Sequence, residues 1–174
     1  LPIIMKALLT TAREFPMFNA SIDDEKQEIV YKKSCNIGFA ADTPQGLVVP
    51  VVKNVEQKTV LQIAREINDL AERARLGKLK LDEMQGATIT ITNIGSIGGN
   101  YATPIINHPE VAILGMYKIH DKPVWQNGQW VPRKTMNFTV TADHRLIDGA
   151  RAAYFLSALI KRLENPSLLL LEMV

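Results

Sequence analysis

The sequence lacks the features that define several large classes of protein. It has one cysteine, Cys35, which excludes a disulfide within the chain and fits a reducing compartment. Its net charge is +2 and no run of lysine or arginine stands out, so nucleic acid is not an expected partner. No apolar run approaches the roughly 20 residues that span a membrane, so no membrane partner is expected either.

The lone cysteine has two candidate roles. It could act as a nucleophile, but Ser34-Cys35-Asn36 opens an apolar run, and a small core residue is the favoured interpretation. The 174 residues are 47% apolar and 22% charged, which is typical of one globular domain with a substantial core. The start, residues 1–5, has no initiator methionine and no positively charged lead-in, so we do not expect these residues to be a signal peptide. We expect further residues before Leu1.

The first half of the chain predicts a helix, a hairpin and two strands. Apolar residues recur with helical period over 2–14, and Phe15-Pro16 ends that helix. Residues 19–22 and 28–31 predict a hairpin around an acidic turn. Two further strands are predicted over 36–41 and 46–52, and Pro50 within the second indicates an edge position or a bulge.

The middle of the chain contains the clearest helix. Residues 59–75 begin with a capping box, Thr59-Val60-Leu61-Gln62, and Gly77 is a typical residue to follow the last turn. A strongly β-branched strand is predicted over 87–93. The glycine-rich stretch 94–99 then suggests either a phosphate-binding loop or a simple turn. It lacks both nucleotide fingerprints and no helix start follows, so a turn is the favoured interpretation.

The last third predicts three strands and a helix before an apolar tail. A buried strand is predicted over 110–117, and Asn127-Gly128 predicts a hairpin turn. A strand over 136–141 precedes a helix over 150–163. The tail, residues 168–174, is apolar to its end. Because chain ends are normally polar, we expect this tail either to fold into its own core or to dock on another subunit, and we favour the second interpretation.

Between this last strand and helix lies the sequence Asp143-His144-Arg145-Leu146-Ile147-Asp148-Gly149. A loop held between two rigid elements fixes a side chain without burying it, which suits a catalytic histidine. The structural alternative is that Asp148 caps the helix and His144 has no chemical role.

Four stretches together resemble the catalytic domain of the dihydrolipoyl acyltransferases of 2-oxo acid dehydrogenase complexes. The active-site signature of that family is matched by Asp143-His144-Arg145-x-x-Asp148-Gly149. The other motifs are matched by residues 90–95, by residues 36–38 with 46–51, and by residues 109–115. The resemblance runs from near Leu1 to Val174. From the resemblance we expect residues 1–174 to be an acyltransferase core domain that lacks its N-terminal segment.

The resemblance implies an α/β fold like that of chloramphenicol acetyltransferase, with helices packed on a mixed sheet. It implies trimers assembled into a larger hollow core. The active site would be a channel between two subunits, entered by coenzyme A from one end and by a lipoyl arm from the other. His144 would be the general base and Asp148 would maintain the site's architecture. A hydroxyl matching Thr92, more often serine in the family, would come from the neighbouring subunit and stabilise the oxyanion.

The resemblance also sets expectations about cofactors, partners and location. Coenzyme A is a substrate with contact residues that stay unknown, and the lipoyl group is carried on a separate domain. The decarboxylase and dihydrolipoamide dehydrogenase components would bind through domains absent from this chain. An arginine that pairs in the family with the carboxylate matching Asp148 would precede Leu1. The expected location is the cytoplasm of a bacterium or archaeon, with the mitochondrial matrix as the alternative.

The chemistry needs no metal. His108 and His120 are not at ligand spacing from His144, and we interpret both as structural. Two other functions remain open. A non-catalytic scaffold subunit of the same assembly would lack the histidine, and an antibiotic acetyltransferase of the chloramphenicol type shares only the His-x-x-x-Asp-Gly signature. The motifs do not specify the acyl group, although acetyl and branched-chain types fit best.

Overall fold

A computed structural model describes residues 1–173, which form a mixed α/β fold. The four helices are α1 (Pro2–Glu14), α2 (Val60–Arg75), α3 (Gly149–Glu164) and α4 (Pro166–Glu172). The eleven strands are β1 (Ala20–Asp23), β2 (Glu28–Tyr31), β3 (Ile37–Phe39), β4 (Ala41–Thr43), β5 (Gly46–Val48), β6 (Val51–Val52), β7 (Ile89–Asn93), β8 (Ala112–Met116), β9 (His120–Gln126), β10 (Gln129–Thr135) and β11 (Phe138–Ala142).

The central sheet has five strands in the order β11-β8-β7-β3-β6. Strands β3, β7 and β8 run parallel, whereas β6 and β11 lie antiparallel at the two edges. The two faces of the sheet differ, as the period of two along each strand requires. Ile89, Ile91 and Leu114 face the hydrophobic core, in which helix α1 and α3 are also buried. Thr90, Thr92 and Gly115 lie on the opposite face.

The local signals at helix and turn boundaries are confirmed. Both bonds of the capping box are present: the Gln62 N–H donates to Thr59 Oγ1 at 3.2 Å, and the Thr59 N–H donates to Gln62 Oε1 at 2.8 Å. Gly77 has a φ of +65° at the end of α2, and Asn127 and Gly128 join β9 to β10 with positive φ. Residues 95–97 form a single 3₁₀ turn, so the favoured interpretation of the glycine-rich stretch is also confirmed.

The prediction of two uninterrupted strands over 36–41 and 46–52 was wrong. Each is divided in two, and β4 pairs with β5 in a small ribbon separate from the central sheet. The hydrogen bonding switches at Ala40, whose N–H donates to Ile91 O on β7. Pro50 has no N–H to donate, but its carbonyl accepts from Phe39 at 3.0 Å. Its predicted edge position is confirmed, because the short strand β6 that follows it is the sheet's edge.

Cys35 is a core residue, as the favoured interpretation held. Burial raises the pKa of its thiol to about 12, which keeps it protonated and unreactive at neutral pH. No helix in the described part of the chain is both long and apolar enough to cross a bilayer.

The C-terminal tail is partly folded into the core of its own chain, and its docking on another subunit stays a prediction. Leu169 on α4 is 3% exposed and packs in the core, whereas Leu170 and Leu171 point outward, the latter 78% exposed. Arg162 holds α4 in place, since it donates to Glu14 and to Glu172 at 2.8 Å each. Val174, the last residue of the predicted tail, lies outside the described residues.

Candidate active site

His144 is exposed on a tight turn between β11 and α3, and the backbone on either side of it is fixed. The Asp143 N–H donates to Val111 O at 2.8 Å, which extends the β11–β8 pairing. The Asp143 carbonyl then accepts from Leu146 and Ile147, and the Ile147 side chain is fully buried. The turn is therefore rigid while the imidazole remains accessible, as a proton-transfer group requires.

The charged neighbours of His144 pair with one another. Arg145 donates to both oxygens of Asp143, with 2.8 Å between Nη2 and Oδ2, and it reaches Asp24 on the β1–β2 turn at 2.7 Å. These hydrogen bonds lower the pKa of Asp143 and keep it ionised. Asp143 is consequently paired with Arg145, and the ion pair between Arg145 and Asp24 connects the turn to the β1–β2 hairpin.

Asp148 is the N-cap of α3. Its Oδ1 accepts from the Arg151 N–H at 2.8 Å, and its Oδ2 lies 3.6 Å from Arg151 Nε. The structural alternative for this residue is thus observed, and it does not conflict with a supporting role. A capped helix that begins five residues after His144 holds the far end of the turn that carries His144.

Thr92 lies near the end of β7, on the face of the sheet away from the helices. It lines an open cavity of about 460 Å³, which we call the Thr92 cavity. Its walls are mostly aliphatic: Ala40, Leu47, Val49, Thr90, Thr92, Ile94, Ala102, Pro104, Ile105, Ile106, Asn107, Ile113 and Tyr117. Gly115 is required here, because a Cβ at that position would lie 2.6 Å from both Tyr117 Oη and Thr139 Oγ1.

Within one chain, the fold places His144 and Thr92 at opposite ends of the sheet. Thr92 is level with Gly115, whereas Ala142, just before the turn that carries His144, pairs with Ala112. Three residues of strand separate these levels by roughly 10 Å, and two strand spacings add roughly 10 Å across the sheet. A single reacting carbonyl cannot contact both side chains of the same chain.

Sequence reasoning missed two buried residues, one that lines the Thr92 cavity and one that hydrogen-bonds to its lining. Tyr117 is buried, and its hydroxyl donates to Ala102 O at 2.6 Å. Glu110 is 6% exposed and accepts from Thr90 Oγ1 and from Asn107 Nδ2, both at 2.8 Å. The available signal was a glutamate at the start of the apolar run 110–117. No group of three or more potential metal ligands occurs among residues 1–173.

The fold is of the chloramphenicol acetyltransferase type. A solved chloramphenicol acetyltransferase superposes with a TM-score of 0.57 over 92% of this chain, and its 18% identity is evidence of a shared fold alone. Within that fold, the chain belongs to the family of 2-oxoacid dehydrogenases acyltransferases (catalytic domain), whose sequence model matches residues 1–171. The family resemblance and the fold class expected from the sequence are both confirmed.

Bacterial relatives are similar over nearly the whole chain. The dihydrolipoyllysine-residue acetyltransferase component of the pyruvate dehydrogenase complex of Staphylococcus aureus is 49% identical over 172 residues, which are 99% of this chain and 40% of that protein. The corresponding component of Bacillus subtilis is also 49% identical, with 39% of its length covered. The chain thus spans about two fifths of the length of these relatives.

Solved structures of related acyltransferase cores superpose on nearly the whole chain. The dihydrolipoamide acetyltransferase of Azotobacter vinelandii has a TM-score of 0.94 and 46% identity, covering 98% of this chain and 70% of that one. A serine, a histidine and an asparagine of that enzyme were investigated for their role in its catalytic mechanism. A truncated catalytic core from Thermoplasma acidophilum has a TM-score of 0.87 and 44% identity, covering 95% of this chain and 73% of that one.

Proposed function

We propose that this chain transfers an acyl group between a dihydrolipoyl thiol and coenzyme A. The observation that carries the proposal is the exposed His144 on a rigid turn, in a chain 49% identical to dihydrolipoyllysine-residue acetyltransferases. In the Azotobacter enzyme the serine, histidine and asparagine have the same spacings as Thr92, His144 and Asp148 have here. Hydroxyl and hydrogen-bonding chemistry would be kept at both substituted positions.

The reaction exchanges one thioester for another. A free thiol has a pKa of about 8.5, so a base must remove its proton before the sulfur can attack. His144 would accept that proton while the new carbon–sulfur bond forms. The tetrahedral oxyanion would accept a hydrogen bond from Thr92 Oγ1. When the carbon bond to the other sulfur breaks, His144 would return the proton to the departing thiolate.

Two copies of the chain are needed to complete such a site. Since His144 and Thr92 of one chain are too far apart, each site would combine His144 of one subunit with Thr92 of its neighbour. The opening of the Thr92 cavity supports this arrangement, because apolar side chains that water would disfavour are exposed beside it, including Ile105 at 90%. We propose trimers with three such sites, assembled into a hollow core.

The rest of the assembly is proposed by relation to the family. One solved relative is the cubic core of a pyruvate dehydrogenase multienzyme complex, with a TM-score of 0.94. For this chain we propose an analogous core, a lipoyl group delivered on a separate domain, and association with the decarboxylase and dihydrolipoamide dehydrogenase components. We also propose a cytoplasmic location, which the similarity to the bacterial relatives supports.

The direct test is an assay of thioester exchange with the assembled protein. Dihydrolipoamide is offered with acetyl-, isobutyryl- and succinyl-coenzyme A. Acetyl transfer is expected to be fastest, because the Staphylococcus and Bacillus relatives are acetyltransferases. Transfer to none of them by assembled protein would contradict the proposal in favour of a scaffold. Acetylation of chloramphenicol without transfer to dihydrolipoamide would contradict it in favour of an antibiotic acetyltransferase.

Assembly beyond the trimer is predicted to depend on the C-terminal tail. Deletion of residues 169–174 should reduce the large core to trimers, measured by light scattering, because the active-site interface uses other surfaces. Each leucine buried against a partner would contribute about 1.5–3 kcal/mol as an upper bound. Symmetry repeats that contact at every equivalent interface.

A sharper variant keeps the buried Leu169 and changes only its exposed neighbours. Leu170→Lys with Leu171→Lys should dissociate the core as the deletion does, whereas Leu61→Lys on the exposed face of α2 is the matched control. An unchanged mass in the deletion and in the double variant would eliminate the tail as the assembly contact.

A further inference from the structure

Glu110 is a buried carboxylate with hydrogen bonds to only one of its two oxygens. Only its Oε1 is used, and Oε2 is buried without a hydrogen-bond partner among the described residues. Burial raises the pKa of this carboxyl. A buried polar group with an unsatisfied atom costs free energy that an apolar side chain in the same place would avoid. The role of a glutamate at this position is therefore to be found in the two hydrogen bonds that it accepts.

Both donors to Glu110 belong to the wall of the Thr92 cavity. Thr90 lies two residues before Thr92 on the same face of β7. Asn107 ends the irregular segment 102–107, which supplies Ala102, Pro104, Ile105 and Ile106 to the opposite wall. Glu110 thus joins the strand that carries the catalytic hydroxyl to the segment facing it.

The 102–107 segment has no helix or strand hydrogen bonding of its own and is fastened at its two ends. At the start, the Tyr117 hydroxyl donates to Ala102 O at 2.6 Å. At the end, Asn107 donates through Nδ2 to Glu110 Oε1 and accepts at its carbonyl from the Glu110 N–H at 2.9 Å. Between these points the aliphatic side chains of Pro104, Ile105 and Ile106 face the cavity. The hydrogen bonds between Asn107 and Glu110 therefore fix the position of this wall of the cavity.

We propose that Glu110 is a positioning residue, which fastens Asn107 to Thr90 and so holds the 102–107 wall in the shape that binds the dihydrolipoyl chain. The inference rests on the proposed acyltransferase function and names which substrate the cavity takes. The aliphatic lining suits the hydrocarbon chain of a lipoyl group, whereas the pantetheine arm of coenzyme A carries two amides that would lack partners there.

Steady-state kinetics of assembled Glu110→Ala tests this assignment. The KM for dihydrolipoamide should rise at least about fivefold while the KM for acetyl-coenzyme A stays within about twofold of wild type. Glu110→Gln keeps a carbonyl oxygen for both donors and should restore a nearly normal KM. As a single substitution, Thr90→Val should raise the KM for dihydrolipoamide. Combined with Glu110→Ala it should add little, because both substitutions break the same link between Thr90 and Asn107. Glu72→Ala, on the exposed surface of α2, is the matched control.

A second measurement does not depend on activity. Hydrogen–deuterium exchange of the amide of residue 110, which donates to Asn107 O, should accelerate in Glu110→Ala and not in Glu110→Gln or Glu72→Ala. Mass spectrometry compares each variant assembly with the wild type. Unchanged exchange in Glu110→Ala would overturn the positioning role even if no acyl transfer could be detected. Faster exchange with an unchanged KM for dihydrolipoamide, or with both KM values raised equally, would overturn the assignment of the cavity to the dihydrolipoyl chain.

Discussion

His144→Ala is expected to lower the turnover of acyl transfer by at least about 100-fold while the protein remains assembled. An imidazole can accept a proton and return it, and the ring of His144 would carry the proton in both halves of the exchange. Because the turn is fixed by the Asp143 backbone and by buried Ile147, loss of the exposed ring should not unfold it. Turnover is measured with saturating acetyl-coenzyme A and dihydrolipoamide, and assembly by light scattering.

The matched control is His120→Ala, since His120 lies on the β9–β10 hairpin and its ring contacts Thr135. That variant should keep nearly full activity. If assembled His144→Ala turned over at close to the wild-type rate, His144 could not be the general base, and a structural role for the turn would be the better explanation.

Thr92→Val is expected to reduce turnover roughly 100-fold, because the oxyanion loses its hydrogen-bond donor while the shape of the side chain is kept. Thr92→Ala should have a similar effect, mainly on kcat, whereas Thr92→Ser should retain most activity. If the alanine and serine variants behaved alike, the hydroxyl would not be a catalytic donor.

A mixing experiment tests the two-subunit site itself. Chains carrying His144→Ala and chains carrying Thr92→Val should each have the low turnover predicted above, but co-refolded mixed trimers should regain activity. Some interfaces would then pair the intact His144 of one chain with the intact Thr92 of another. A site contained within one chain could not be restored in this way, so absence of recovery in mixed trimers of confirmed composition would contradict the shared site.

Short-range patterns in the sequence were sufficient for most individual elements. The capping box at Thr59, the Asn127-Gly128 turn and the helix ending before Pro16 are each determined by neighbours within four residues. The signature around His144 also lies within seven consecutive residues. Its place between a strand and a helix could therefore be predicted without knowledge of the fold.

The sequence by itself thus determined the type of most elements, the family and the candidate base, because local backbone preferences and contiguous motifs carry that information. Tertiary structure alone decided where hydrogen bonding switches strands at Ala40, and which leucine of the tail is buried. It also placed Thr92 far from His144 of the same chain, and brought Glu110 to Thr90 across 20 positions of sequence. These outcomes depend on which strands become neighbours and in what register, and such pairings arise from the packing of the whole chain.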